Sequence, residues 1–212
     1  MNDSGKRQEG GAEHGFRRIA GIDRSGPKPA STRQNQPWRP WTLPNLIGYL
    51  RLVGVAVFLY LAFKSEGQPS ALSIVIFVAV AAGDYFDGLV ARATGQYSRL
   101  GALMDPFTDR LVALSGALVC WHFELLPRWA LLLLIGREIA ALVLARVALG
   151  RGVELEINWV GRFGTAFVFG GLLAGMIWGT WPAAVLFILG VAIGFYAMVL
   201  YIQAARRGQF VA

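Results

Sequence analysis

The sequence predicts an all-α, polytopic membrane protein: six transmembrane helices in a bundle, with both termini cytoplasmic. Three observations carry that expectation. Apolar residues make up 55% of the 212-residue chain. Charged residues make up 16%, against about 25% in a typical soluble domain. The apolar residues also fall in continuous runs of about 20, the length a helix needs to cross a bilayer. Barrel strands would alternate in polarity at every second residue, and these runs do not.

The elements follow in order. Residues 1–41 are rich in Gly, Ser, Pro, Gln and charge. Eight of the 20 basic and four of the 13 acidic residues precede Trp41. This stretch has too little apolar surface to fold alone and is expected to be a disordered, basic cytoplasmic arm rather than a cleaved leader. Six apolar runs come next, from Leu43 to Phe63, Ser70 to Val90, Leu103 to Phe123, Trp129 to Leu149, Val160 to Trp178 and Ala183 to Ala204. Short connectors carrying Gly, Pro and charge separate them, as helix breaks require. The membrane domain is set at residues 42–206, followed by a short cytoplasmic tail, 207–212.

Orientation follows from the basic residues in the connectors. The arm, Arg92, Arg99, Arg151, Arg206 and Arg207 fall on one side, and Lys64 and Arg128 on the other. The richer side is expected to face the cytoplasm across the cell (inner) membrane. All seven tryptophans fall near helix ends, as an interfacial aromatic belt requires. The formal charge of +7 is read as topology plus affinity for anionic lipid headgroups, with no nucleic-acid partner expected. The single cysteine, Cys120, cannot form an intramolecular disulfide.

The chemistry is expected where the second run ends and the third begins. Asp84 and Asp87 are three apart and share a helix face, and Asp105 and Asp109, four apart, do the same. A connector of eight residues between Arg92 and Gly101 makes the two helices antiparallel neighbours, so the pairs can converge. Carboxylates within a membrane helix are costly, and four in one volume need cations. An all-oxygen donor set suits Mg²⁺ or Mn²⁺, and two such ions could clamp a pyrophosphate. Gly88 and Gly101 leave room for a bulky ligand, and Arg92 can hold a phosphate by its forked guanidinium. Pro106, read as lying near the start of the third helix, costs that helix little. Two other readings compete: interhelical ion pairs with Arg92, Arg110 and others, and a carboxylate ion site in a transporter.

The segment resembles the signature of the CDP-alcohol phosphotransferases, D-x-x-D-G-x-x-A-R-x(8)-G-x(3)-D-x(3)-D. Asp84, Asp87, Gly88, Ala91, Arg92, Gly101, Asp105 and Asp109 occupy every fixed position. The resemblance covers about residues 42–206 and implies a six-helix membrane enzyme, commonly a homodimer. It implies transfer of phosphatidyl from CDP-diacylglycerol to an alcohol, with release of CMP. By the same resemblance Asp84, Asp87, Asp105 and Asp109 hold two Mg²⁺ or Mn²⁺ ions and Asp109 is the general base. Asp84, Asp87, Gly88 and Arg92 contact the nucleotide.

The acceptor is read from weaker similarities to bacterial phosphatidylglycerophosphate synthases. Leu43-Pro44-Asn45-Leu46 followed by Arg51, Met104-Asp105-Pro106 and Arg137-Glu138 are similar to segments of those enzymes. Trp159-Val160-Gly161-Arg162-Phe163-Gly164-Thr165 resembles W-x-G-K-x-K-T, with Arg162 for one lysine and Gly164 for the other. The expected acceptor is a small phosphorylated or lipid alcohol. Glycerol-3-phosphate comes first, phosphatidylglycerol second and an inositol phosphate third. Arg110, Arg137 and Arg162 are candidates to hold an acceptor phosphate. Asn45 is expected to cap helix one or to reach the nucleotide, and Ser98 to cap helix three or to touch substrate, while His14 and His122 have no catalytic role.

Overall fold

The computed structural model describes residues 38, 40–94, 98–150 and 159–206. The expected arm (1–41, apart from Trp38, Pro40 and Trp41) and the tail (207–212) lie outside the described residues, as does the side chain of Arg92. The described residues are helical, with no strand among them. Six helices follow in order: α1 (Leu43–Lys64), α2 (Ala71–Thr94), α3 (Arg99–His122), α4 (Arg128–Gly150), α5 (Trp159–Trp178) and α6 (Trp181–Arg206). Each corresponds to one of the six apolar runs.

Four of these helices, α1, α2, α5 and α6, are long and apolar enough to cross a membrane. Helices α3 and α4 carry more charge, including Asp105, Asp109 and Arg110 in one and Arg137 and Glu138 in the other. Large apolar side chains stand exposed along the helices, among them Leu50, Val53, Val75, Leu132, Ile139, Val143 and Phe163. Water would penalise such a surface, and lipid would not. Trp38, Trp41, Trp129, Trp159, Trp178 and Trp181 are all exposed at or beside helix termini.

The helix ends have identifiable causes. Thr42 Oγ1 accepts from the Asn45 amide at 3.4 Å and starts α1. The Ser98 hydroxyl accepts the Gly101 amide at 3.0 Å and starts α3. Ser98 therefore caps as expected, but the cap of α1 is Thr42 rather than Asn45. Because Ser98 sets the start, α3 begins four residues before Leu103. Pro106 is then its eighth residue, not part of its first turn. There it deprives the carbonyl four residues earlier of a donor, a cost that a first-turn proline escapes. Helix α5 closes on Gly179 at φ +57°, whose amide bonds the Gly175 carbonyl at 2.9 Å.

The chain divides into two compact units, and their interiors differ in kind. The first comprises residues up to Ala56 together with Ile76–Leu111. It buries Thr42, Asn45, Arg51, Asp87, Ser98 and Thr108 alongside Val55, Phe77 and Val80. The second comprises Val57–Val75 and Val112 onward. Its interior is mainly apolar, built on Phe58, Leu131, Leu134, Val168, Leu172 and Phe187. Within it α5 and α6 meet backbone to backbone. A Cβ on Gly171 would lie 2.5 Å from Phe187 Cα, and one on Gly190 would lie 2.5 Å from the Val168 amide nitrogen. Only residues without a side chain allow that approach.

Candidate active site

The polar interior of the first unit is organised around one guanidinium. Arg51 lies on α1, the only charged residue between Leu43 and Phe63. Its side chain is 4% exposed. Nε donates to the Val80 carbonyl at 3.1 Å, fixing the plane of the group against α2. Nη1 donates to Asp84 Oδ1 at 3.4 Å and to Asp87 Oδ2 at 3.1 Å. Nη2 donates to Asp109 Oδ1 at 2.6 Å, a short charge-assisted bond to α3. Gly83 makes this fit possible, since a Cβ there would lie 2.8 Å from Cγ and Cδ of Arg51.

Three of the four aspartates therefore converge, two from α2 and one from α3. Asp87 is buried with the arginine, at 6% exposure, whereas Asp84 and Asp109 stay 49% and 43% exposed. Asp105 stands one turn before Asp109 on α3 and is exposed. The Arg51 guanidinium is thus shared among three carboxylates, Asp84, Asp87 and Asp109, whose combined negative charge exceeds its own. Among the described residues no group of three or more His, Cys, Asp and Glu side chains is closed up as a metal site. Asp84, Asp87 and Asp109 are instead turned onto Arg51. The chemistry of the four aspartates still fits a hard divalent ion: every donor is an anionic oxygen, and all but Asp87 remain open to incoming ligands.

Beside this cluster the starts of α1 and α3 are tied together. Asn45, 2% exposed, donates from Nδ2 to the Pro40 carbonyl at 3.2 Å. Its Oδ1 accepts the Ser98 hydroxyl at 2.9 Å. A Cβ on Gly101 would fall 2.6 Å from that same oxygen. The glycine thus makes room for Asn45, where the sequence suggested room for a ligand. Gly88 follows Asp87 on α2 and is half-buried.

A family model described as CDP-alcohol phosphatidyltransferase matches residues 41–202, a span that includes this whole cluster. The chain belongs to that family. It is similar to the cardiolipin synthase (CMP-forming) of Streptomyces coelicolor, 34% identical over 182 residues, covering 72% of this chain and 84% of the relative. It is also similar to the CDP-diacylglycerol–glycerol-3-phosphate 3-phosphatidyltransferase of Salmonella typhimurium, 28% identical over 176 residues, covering 78% of this chain and 96% of the relative. The protein is a CDP-diacylglycerol-dependent phosphatidyltransferase of phospholipid biosynthesis, and its helices are those of a membrane protein.

The other arginines singled out in this phosphatidyltransferase occupy different surroundings. Arg110, on α3, donates to the Pro106 carbonyl at 3.2 Å. Arg137 and Arg162 belong to the second unit. Arg137 pairs with Glu138 at 3.1 Å, although adjacent helical positions point about 100° apart. Two long side chains close that gap, and the guanidinium lies against Gly194 of α6, where a Cβ would come within 2.6 Å of Nε. Arg162 is exposed, with its guanidinium 5.3 Å from the centre of the Trp159 ring. Among partners for the acids the sequence points to Arg92, Arg110 and others, and it gives Arg51 only a place in the segment similarity that opens at Leu43. The available signal was a lone arginine in a span whose neighbours are apolar, an expense that requires a buried acidic partner.

Proposed function

We propose that this protein transfers phosphatidyl from CDP-diacylglycerol to the hydroxyl of phosphatidylglycerol, releasing CMP and forming cardiolipin. The observation that carries the chemistry is the convergence of Asp84, Asp87 and Asp109 around Arg51, with Asp105 one turn away. These are four of only nine acidic residues after the arm.

Asp84, Asp87, Asp105 and Asp109 would hold one or two Mg²⁺ or Mn²⁺ ions. When bound, such ions neutralise the diphosphate and the departing CMP. Asp109 is oriented through Oδ1 by Arg51 yet stays accessible, which suits a base that accepts the acceptor's hydroxyl proton. The hydroxyl oxygen bonds to the phosphorus carrying diacylglycerol, and the bond from that phosphorus to the CMP oxygen breaks. The CMP oxygen keeps the electron pair. Gly88 and Arg92 complete the nucleotide side, as the family signature implies.

One structural feature favours a lipid acceptor. Where W-x-G-K-x-K-T has its second lysine, this chain has Gly164, which is buried. A Cβ there would lie 3.0 Å from the Gly194 amide nitrogen. The position serves α5–α6 packing and supplies no cation. Arg137 is already compensated by Glu138. A free phosphate thus finds fewer available cations than the motif provides elsewhere, in line with the similarity to a cardiolipin synthase. Glycerol-3-phosphate is the second reading, supported by the Salmonella relative and by Arg110 and Arg162.

The proposal takes all six helices as spans of the cell membrane and residues 42–206 as one domain. Both termini and the aspartates face the cytoplasm, because the basic residues concentrate there. The family resemblance adds a homodimer. The test is an acceptor panel: purified protein, Mg²⁺ or Mn²⁺ and CDP-diacylglycerol with phosphatidylglycerol, glycerol-3-phosphate, inositol phosphate or serine. Cardiolipin as the dominant lipid product supports the proposal, and phosphatidylglycerophosphate would replace it with the second reading. No CMP release with any acceptor would overturn the enzyme assignment itself.

A further inference from the structure

We infer that Arg51 is a built-in counter-ion for the aspartate cluster, which an incoming divalent cation must displace. This inference rests on the reading of the aspartates as a cation site. Four bonds hold the guanidinium: one to the Val80 carbonyl and three to Asp84, Asp87 and Asp109. Three carboxylate oxygens on two helices are thus turned onto a single positive group. A buried guanidinium without anionic partners is strongly disfavoured, and so are clustered carboxylates without a cation. Each keeps the other in place. The same oxygens are the donors a divalent ion would use, so guanidinium and metal compete for them.

The arrangement has two consequences. Without metal, Arg51 keeps α2 and α3 in register, so the site is preformed rather than repelled apart. With metal, the guanidinium must surrender at least some of its bonds, and its positive charge opposes cation entry. Arg51 acts through the carboxylates and is a positioning residue. It sets how tightly the cation is held and keeps the cation-free enzyme folded.

The experiment uses the full-length protein in detergent and reads Mn²⁺ binding by loss of the free-ion electron paramagnetic resonance signal. Melting temperature is measured with and without Mn²⁺. The variants are Arg51→Met, which keeps an unbranched apolar stem without charge, Arg51→Lys, which keeps the charge without the fork, and Asp84→Asn. Arg51→Met should bind Mn²⁺ at least about tenfold more tightly than wild type, because a competitor and a like charge are both removed. Its cation-free melting temperature should fall and recover as Mn²⁺ saturates, whereas Arg51→Lys should stay near wild type in affinity. Recovery of folded Arg51→Met only in the presence of Mn²⁺ would equally support the exchange.

Equal or weaker Mn²⁺ binding by Arg51→Met would overturn the inference. So would an Arg51→Met protein that fails to fold even in Mn²⁺ while Arg51→Lys folds, since the guanidinium would then be a packing element that no cation replaces. A wild type that binds no Mn²⁺, with Asp84→Asn indistinguishable from it, would instead sink the cation-site reading on which the inference stands.

Discussion

The contact between Gly101, Asn45 and Ser98 yields a prediction whose sign can be reversed by design. Substituting Gly101→Ala puts a methyl group 2.6 Å from Asn45 Oδ1 and 3.2 Å from Ser98 Oγ. Both atoms are committed, the first to the Ser98 hydroxyl and the second to the Gly101 amide. The methyl must displace one of them. Losing the Ser98 cap costs about 1 kcal/mol. Disrupting the buried Ser98–Asn45 bond, with a polar atom left unsatisfied, costs about 1–3 kcal/mol. The gain in helix propensity from Gly to Ala returns about 1 kcal/mol. The single substitution should therefore destabilise by up to about 2 kcal/mol. In an Asn45→Ala background the obstructing oxygen is gone, and Gly101→Ala should become neutral or stabilising. The four proteins of this cycle can be compared by reversible SDS unfolding in mixed micelles. A coupling of about 2 kcal/mol is expected, well outside the few tenths typical of independent sites. Additive effects would refute the reasoning and would return Gly101 to the ligand-clearance role its motif suggested.

Three further outcomes follow. Asp109→Asn should reduce CMP release about 10²–10⁴-fold while leaving the melting profile close to wild type, and activity within tenfold of wild type would remove Asp109 as the base. Chelation with EDTA should abolish CMP release, and added Mg²⁺ or Mn²⁺ should restore it; turnover that persists in EDTA would contradict the divalent-ion reading. Gly171→Ala, forced against the Phe187 backbone, should cost about 1–3 kcal/mol. The matched control Gly136→Ala, on α4 with open space around it, should instead gain up to about 1 kcal/mol in the same unfolding assay.

Helix number and approximate extent among the described residues were legible in the sequence because continuous apolar runs of about 20 residues favour helices over alternating strands. The structure places a helix on each of the six runs, and α3 begins earlier than its run because Ser98 supplies a cap that hydropathy does not register. The convergence of Asp84, Asp87 and Asp109 was legible for a different reason: acids are so costly in an apolar run that their spacing points to shared partners. Arg51 was visible as a residue but not as a partner. Pairing depends on which rotamer reaches which neighbouring helix, and a separation of 58 positions between Arg51 and Asp109 leaves no periodic trace. The contact made by Gly101 was hidden for the same reason. A missing side chain says that something comes close, but only coordinates show that the visitor is Asn45. The Arg137–Glu138 pair also leaves no periodic trace, because adjacent helical positions point about 100° apart and only side-chain length joins them.

The glycine seam between α5 and α6 has a consequence for how the protein tolerates its surroundings. Lipid tails are as apolar as leucine, so helices in a bilayer gain little by hiding apolar side chains from them. What remains is dispersion between closely fitted surfaces, and here the fit is main chain on main chain at Gly171 and Gly190. Such a contact has no rotamers to readjust. When membrane thickness or acyl composition changes, other contacts can respond by side-chain rearrangement, whereas this hairpin, joined by Gly179 and Thr180, can respond only by tilting as a unit. Adaptation to a different membrane would therefore have to be found elsewhere in the chain.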